Sequence, residues 1–448
     1  MRNPETAAAA GGWLSSFPHR FRRNVSQGVY RAEIDGLRFF AIAFVIFGHA
    51  LERAERFFPQ SQPWLTGSRA GAFLQLAPCG VMLFFAISGF VLAGQAIKSK
   101  ASPLSGAFLK SYFGRRILRI EPPYVILLTA TLAVVGLAHF TPEGTHRFDA
   151  APQSLTLSYF GAVFYLHDLI WGSFPRLFPP GWSLEVEVQF YILAPLMFAA
   201  WRALPGTGER LALALLVGGS GVNLALLKMT EIGPLHVEYS LLNYFNYFWI
   251  GVAMAHLREP LAARLARMPG GFGAALGWGG LVCFIAFMAP GERSGLAAEA
   301  ARLVGAYVGL AAVFAATFDE RSGWRAFCAA PWISLIGGAC YSIYLLHLQI
   351  VHSIFVAAAK AFPHMPVAGV FALFVVSGAA AIAAGLVYYV QIERRFMARD
   401  WPSRLAAYFR RRPRPAPGEL QLVVDNPTPV GTADARRADK RRSAATSP

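Results

Sequence analysis

Charge is scarce in this 448-residue chain: 15% of the residues are Asp, Glu, Lys or Arg, against the roughly 25% that a soluble domain carries. With 55% hydrophobic residues and a mean hydropathy of +0.42, that deficit excludes a soluble enzyme and a disordered chain. Cysteine is scarce as well. Cys79, Cys283, Cys328 and Cys340 show no CxxC spacing and mostly sit in apolar stretches, so they read as small core residues; a disulfide scaffold is excluded and no metal site is expected. Acid is short relative to base, 25 Asp and Glu against 41 Lys and Arg, for a net charge of +16. In a soluble protein that excess would suggest nucleic acid. No basic region is attached to a recognisable nucleic-acid-binding fold, and no nucleic-acid partner is expected.

What is present is a series of apolar stretches of membrane-spanning size. Spans are expected near 36–56, 72–97, 122–140, 186–204, 210–228, 238–257, 271–290, 300–318, 332–359 and 367–391, each long enough to cross a hydrocarbon core of about 30 Å, allowing for tilt. The expected fold is therefore all-α: a polytopic integral membrane helical bundle of about ten transmembrane helices. Basic residues gather at Arg20, Arg22, Arg23 and Arg31, between Lys98 and Arg119, and from Arg394 onward. The positive-inside rule then makes both termini cytoplasmic. Segment 155–172, apolar but carrying His167 and Asp168, is expected to re-enter or lie at the interface within a long outward loop. Three regions follow: a cytoplasmic basic N-terminal segment, 1–33; the transmembrane domain, 34–400; and a cytoplasmic Arg/Pro-rich tail, 401–448, too polar to offset its ordering entropy and so expected to be disordered. No cleaved leader is expected, since no apolar core precedes the first span. No internal repeat of the inverted-repeat transporter kind is evident.

Ionisable side chains inside spans are costly, so those that persist are the first candidates for function. Arg38 and His49 lie eleven positions apart in the first span. Eleven helical residues turn through about 1100° and rise about 16 Å, which places both on one face. A snorkelling Arg beside a structural His is the plainer reading of that pair alone. Arg116 and Arg119, at i,i+3 before Pro122-Pro123, suit phosphate binding by convergent guanidinium groups, or anchor the cytoplasmic boundary. Gly80, Ser88 and Gly89 in the second span permit close helix packing. Glu185 and Glu187 follow Trp182 and Ser183 at a membrane boundary. Late in the chain His347 sits within a span near Tyr341, Tyr344 and His352, and Glu393 ends the last span among arginines. Pairing of Glu393 with Arg394 or Arg395 is the expectation there.

Six strings, IDGLRFFAIAFVIFGHA, GVMLFFAISGF, RRILRIEPPY, WSLEVEVQFYILAP, YSIYLLH and IERRF, together resemble the membrane acyltransferase 3 family in order and spacing, over roughly residues 30 to 400. That family includes O-acetyltransferases of lipopolysaccharide O-antigen, exopolysaccharide and lipo-chitooligosaccharide. The resemblance implies that Arg38 and His49 match the family's basic residue and essential histidine, and that Arg116 and Arg119 match its RxxR motif, associated with the acyl donor. It implies that Glu187 matches the Glu of WSLxxE, and that Tyr341, Ser342, Tyr344 and His347 match YSxYLxH. Met82 departs from it, standing where many members carry an acid. The resemblance also implies a multi-pass protein of the bacterial inner (plasma) membrane.

Joined to the residues, it gives an expected function: a membrane O-acyltransferase moving an acyl group, acetyl by preference, from cytoplasmic acyl-CoA to a hydroxyl of a cell-surface or exported glycan. His49 is the expected general base, since imidazole takes and returns a proton near neutral pH. Glu187 and His347 are the other expected catalytic residues. Arg38, Arg116 and Arg119 are expected to hold the donor's phosphates. Acyl-CoA, with acetyl-CoA first, is a donor substrate, so no resident cofactor is expected. A glycan or lipid-linked glycan acceptor and the bilayer are the expected partners, the acceptor entering by loop 140–185. A secondary transporter of a small or glycan-related substrate, or a non-enzymatic scaffold, would also place such residues in spans.

Overall fold

A computed structural model describes residues 13–23, 30–59, 74–137, 154–204, 206, 231–232, 235–289, 296–397 and 401–403. Residues 1–401 form one unit and 402–448 a second. The expected disorder of the tail, and the expected span at 210–228, lie outside the described residues.

In chain order the helices are α1 (Trp13–Arg20), α2 (Ala32–Phe57), α3 (Ala77–Lys98), α4 (Gly106–Leu137), α5 (Leu155–Val163), α6 (His167–Trp171) and α7 (Gly181–Ala203). An antiparallel pairing of Glu231–Ile232 with Leu235–His236, β1 and β2, follows. Then come α8 (Leu241–His256), α9 (Arg258–Leu265), α10 (Phe272–Met288), α11 (Leu296–Ala316), α12 (Gly323–Cys328), α13 (Pro331–Gly338), α14 (Cys340–Ala361), α15 (Val367–Tyr388), a π turn (Tyr389–Glu393) and α16 (Arg394–Phe396). Among the described residues six helices are long and apolar enough to cross a membrane: α2, α3, α4, α7, α14 and the continuous run from α15 through α16. Shorter apolar helices occupy two more of the expected spans, 271–290 and 300–318. The expected span at 238–257 is the 16-residue α8, about 24 Å long at 1.5 Å per residue. The protein is a polytopic membrane helical bundle.

Helix α2 sits at the centre, with a dense row of buried residues from Glu33 to Ala54. Glu33 and Asp35 occupy its first turn and Arg56 its last, the arrangement that complements the helix dipole. Helices α3 and α8 pack backbone to backbone through two glycines. A Cβ on Gly89 would lie 2.0 Å from the Phe248 carbonyl oxygen, and one on Gly251 1.9 Å from that of Ala86. Gly89, expected to allow close packing, does so by this contact.

Proline placement shows where sequence rules and tertiary structure part. Pro122-Pro123 signals a helix start, yet α4 runs unbroken from Gly106 through both prolines. Proline at 122 has no N–H for the carbonyl of Leu118 four residues back. The Trp401 indole N–H donates to that carbonyl at 3.2 Å instead. In the same way Pro195 inside α7 frees the carbonyl of Tyr191, and the Tyr112 hydroxyl donates to it at 3.1 Å. Arg116 and Arg119 therefore stand in mid-helix and not in a loop before a span. Tyr112→Phe removes this donor while keeping the ring; we expect a loss of about 1–3 kcal/mol, read as a lower unfolding temperature in detergent.

Two further elements differ from expectation. The span expected at 332–359 is broken at Ala339 into α13 and α14. Segment 155–172 forms no continuous span but two short helices reversed at Tyr165, with φ 56°, and closed by Gly172, with φ 61°. Its turn is held by His167, whose Nδ1–H donates to the Ser173 carbonyl at 2.8 Å and whose Nε2 accepts from the Ser158 hydroxyl at 3.0 Å. Burial pushes the His167 imidazole down to about 4, so the neutral ring this pattern requires is the one present near neutral pH.

Candidate active site

Helices α2, α3, α4, α7 and α14 enclose a cavity of about 1010 Å³. Among the described residues seven cationic side chains line it, Arg23, Arg38, Lys98, Lys110, Arg115, Arg116 and Arg119, against one carboxylate, Glu187. Lys98 and Lys110 are exposed, whereas Ser183 and Tyr344, also in its wall, are buried. The cavity thus runs from a solvent-exposed basic rim to a buried interior.

Each cation of the interior is held in place. Arg116 lies over the Tyr112 ring, 3.6 Å from its centroid, and donates to the Tyr112 carbonyl at 2.6 Å and to Gln95 Oε1 at 3.3 Å. A planar guanidinium fits such a stack and fork, which an ammonium does not. Arg119 reaches Glu393 Oε1 at 3.3 Å, and the Ser342 hydroxyl donates to the other oxygen at 2.7 Å. Glu393 is wholly buried. The expected pairing of Glu393 with Arg394 or Arg395 does not occur: Arg394 donates to the Arg20 carbonyl and Arg395 to Gln391. The π turn at Tyr389–Glu393 is the reason, since its wider turn carries Glu393 inward to Arg119. Asp35 ties Arg38, and also Arg23 at 3.5 Å.

The two acids of the Trp-Ser-Leu-Glu stretch separate, because two helical positions differ by about 200°. Glu187 faces the cavity and accepts from the Tyr191 hydroxyl at 2.5 Å and from Ser88. Glu185 turns the other way, accepting the Asp168 N–H at 3.0 Å. Ser88, read from the sequence only as a packing residue, thus fixes the one cavity carboxylate.

His49 and His347 do not line the cavity but meet beside it, with ring centroids 5.3 Å apart. Tyr344 joins the two places. It lines the cavity, its ring lies 5.3 Å from that of His347, and its hydroxyl donates to the Pro180 carbonyl at 2.8 Å within 2.6 Å of the Ser183 hydroxyl. Four of the six residues singled out from sequence, Arg38, Arg116, Arg119 and Glu187, share one wall, and the other two form a histidine pair next to it. Reasoning from sequence missed Gln95, which holds Arg116 from α3, and Tyr112 and Tyr191, which hold Arg116 and Glu187 from four positions away in the same helices. It also missed Asp35 and Glu52, which lie three positions from Arg38 and His49 and were visible at helical spacing.

The chain spans between a third and about half of the length of the curated relatives it matches. It is 29% identical over 209 residues to Nodulation protein 10 of Rhizobium leguminosarum bv. viciae, covering 45% of this chain and 53% of that protein. YrhL of Bacillus subtilis (strain 168), provisionally named a peptidoglycan O-acetyltransferase, is 27% identical over 230 residues, 50% of this chain and 33% of that one. Acyltransferase MdmB of Streptomyces mycarofaciens is 29% identical over 173 residues, 38% and 40% of the two. No solved structure matches the chain. The acyltransferase 3 model, described as an acyltransferase domain, matches residues 31–390, which with its helical membrane fold places this chain in the acyltransferase 3 family.

Proposed function

We propose that the protein is a membrane O-acyltransferase that takes an acyl group, acetyl first, from cytoplasmic acyl-CoA and transfers it to a hydroxyl of an exported or cell-surface glycan. The observation that carries this reading is the charge of the cavity, seven cations to one carboxylate, leading to a tyrosine beside two histidines. Coenzyme A carries several phosphate charges, and guanidinium groups held in fixed positions bind such an anion at little cost in ordering. Lys98, Lys110 and Arg115 at the rim meet the nucleotide end. Arg116, Arg119 and Arg38 hold the pyrophosphate, and the thioester reaches Tyr344.

His49 then serves as general base for the acceptor hydroxyl. The acceptor approaches from the side of Trp182, whose ring lies edge-on to that of Tyr239 at 5.1 Å and tilted against that of Tyr244 at 5.4 Å. Half-buried aromatic faces of this kind suit sugar rings, and the name of the Bacillus subtilis relative points to a glycan. The membrane we assign it on this reading is the bacterial inner (plasma) membrane.

Coenzyme A titrated into the detergent-purified protein tests the cavity assignment directly. We expect binding that weakens with salt, and absence of binding contradicts it. Lys98→Ala and Lys110→Ala should each raise KM for acetyl-CoA by up to about fivefold with little change in kcat, the range an exposed charge pair supplies.

A further inference from the structure

Each histidine of the pair has one ring nitrogen committed. His49 Nδ1 lies 3.0 Å from Glu52 Oε2, one turn further along α2. His347 Nδ1 lies 2.6 Å from the Tyr344 carbonyl oxygen. Ionised carboxylate and carbonyl oxygens only accept, so in the neutral rings both Nδ1 atoms carry the hydrogen and both Nε2 atoms carry the lone pair. His347 Nε2 is buried with no partner. The rings differ in what holds them: a neutral carbonyl of its own helix for His347, a carboxylate for His49.

We propose that Glu52 is the positioning residue for His49, fixing the Nδ1–H tautomer so that Nε2 is the atom that accepts the substrate proton. This rests on the acyl-transfer reading above. In the step, the acceptor hydroxyl gives its proton to His49 Nε2 as its oxygen bonds to the thioester carbonyl carbon. The C–S bond then breaks, and the proton passes from Nε2 to the departing sulfur, leaving the ester and the coenzyme A thiol. While His49 is protonated both of its nitrogens donate, and the Glu52 carboxylate offsets the charge at Nδ1. His347 has no acid on its Nδ1 and cannot be stabilised in this way. The Glu52 side chain is 55% exposed, so water shares it and the effect is smaller than for a buried acid of a hydrolase triad.

The test uses full-length protein in detergent with acetyl-CoA and a cell-envelope glycan fraction. Transfer by the wild type and its loss in His49→Ala are established first; no transfer by the wild type removes the acyl-transfer reading itself, and transfer retained in His49→Ala removes the general-base role on which the proposal rests. With that in hand, Glu52→Ala should lower kcat by about tenfold to a hundredfold, leave KM for acetyl-CoA unchanged, and add no loss in the His49→Ala background. Glu52→Gln keeps an acceptor oxygen without the charge, should recover part of the rate, and carries the test where the alanine variant is not recovered folded. A wild-type kcat in both Glu52 variants, or a change confined to KM, overturns the proposal.

Discussion

His49→Ala should lower kcat for acyl transfer by about 10²- to 10⁴-fold, the usual contribution of a positioned general base, while leaving coenzyme A binding intact. The separation follows from the geometry. His49 stands beside the cavity and not in its wall, so its loss leaves the seven cations where they are. A residue needed for donor binding would raise KM, and one needed only in the transition state lowers kcat and kcat/KM together. Kinetics with acetyl-CoA varied at saturating acceptor distinguish the two. A His49→Ala enzyme with a wild-type kcat removes the general-base role.

Arg119→Ala should have a large effect of a different kind. It strips the paired cation from Glu393, a wholly buried carboxylate whose other oxygen is satisfied by Ser342. Breaking a buried pair on one side costs about 3–5 kcal/mol, because the remaining charge stays desolvated. The expected result is a sharp fall in unfolding temperature together with a raised KM for acetyl-CoA. Replacing both partners, Arg119→Leu with Glu393→Leu, removes the stranded charge. Stability should largely return while KM stays high. Recovery of both, or of neither, would mean that Arg119 does not combine a structural and a donor-binding role.

Much of this site was legible because it is written at helical spacing. The eleven-residue interval from Arg38 to His49 and the i,i+3 pair Arg116 and Arg119 place side chains on one face whatever the rest of the chain does. The apolar lengths gave the helical membrane fold for the same reason. What was not legible depends on partners far away in sequence. Glu393 is 274 positions from Arg119, and Ser88 is 99 from Glu187. No local pattern marks either pairing, and the nearer arginines 394 and 395 were the natural expectation for Glu393. Proline 122 misled by a sound rule, since a missing N–H ends a helix unless its carbonyl finds another donor, and Trp401 supplies one from the far end of the domain. The break at Ala339 has no proline to announce it.

The central claim is that the basic cavity delivers an acyl group to the histidine pair. It is tested most directly by following label from radiolabelled acetyl-CoA into a cell-envelope glycan fraction, with membranes containing the wild-type chain. The account predicts ester-linked label in the glycan, released by mild base and absent from membranes without the protein. Membranes that move a glycan-related solute or protons but form no acyl product would contradict it and favour a transporter.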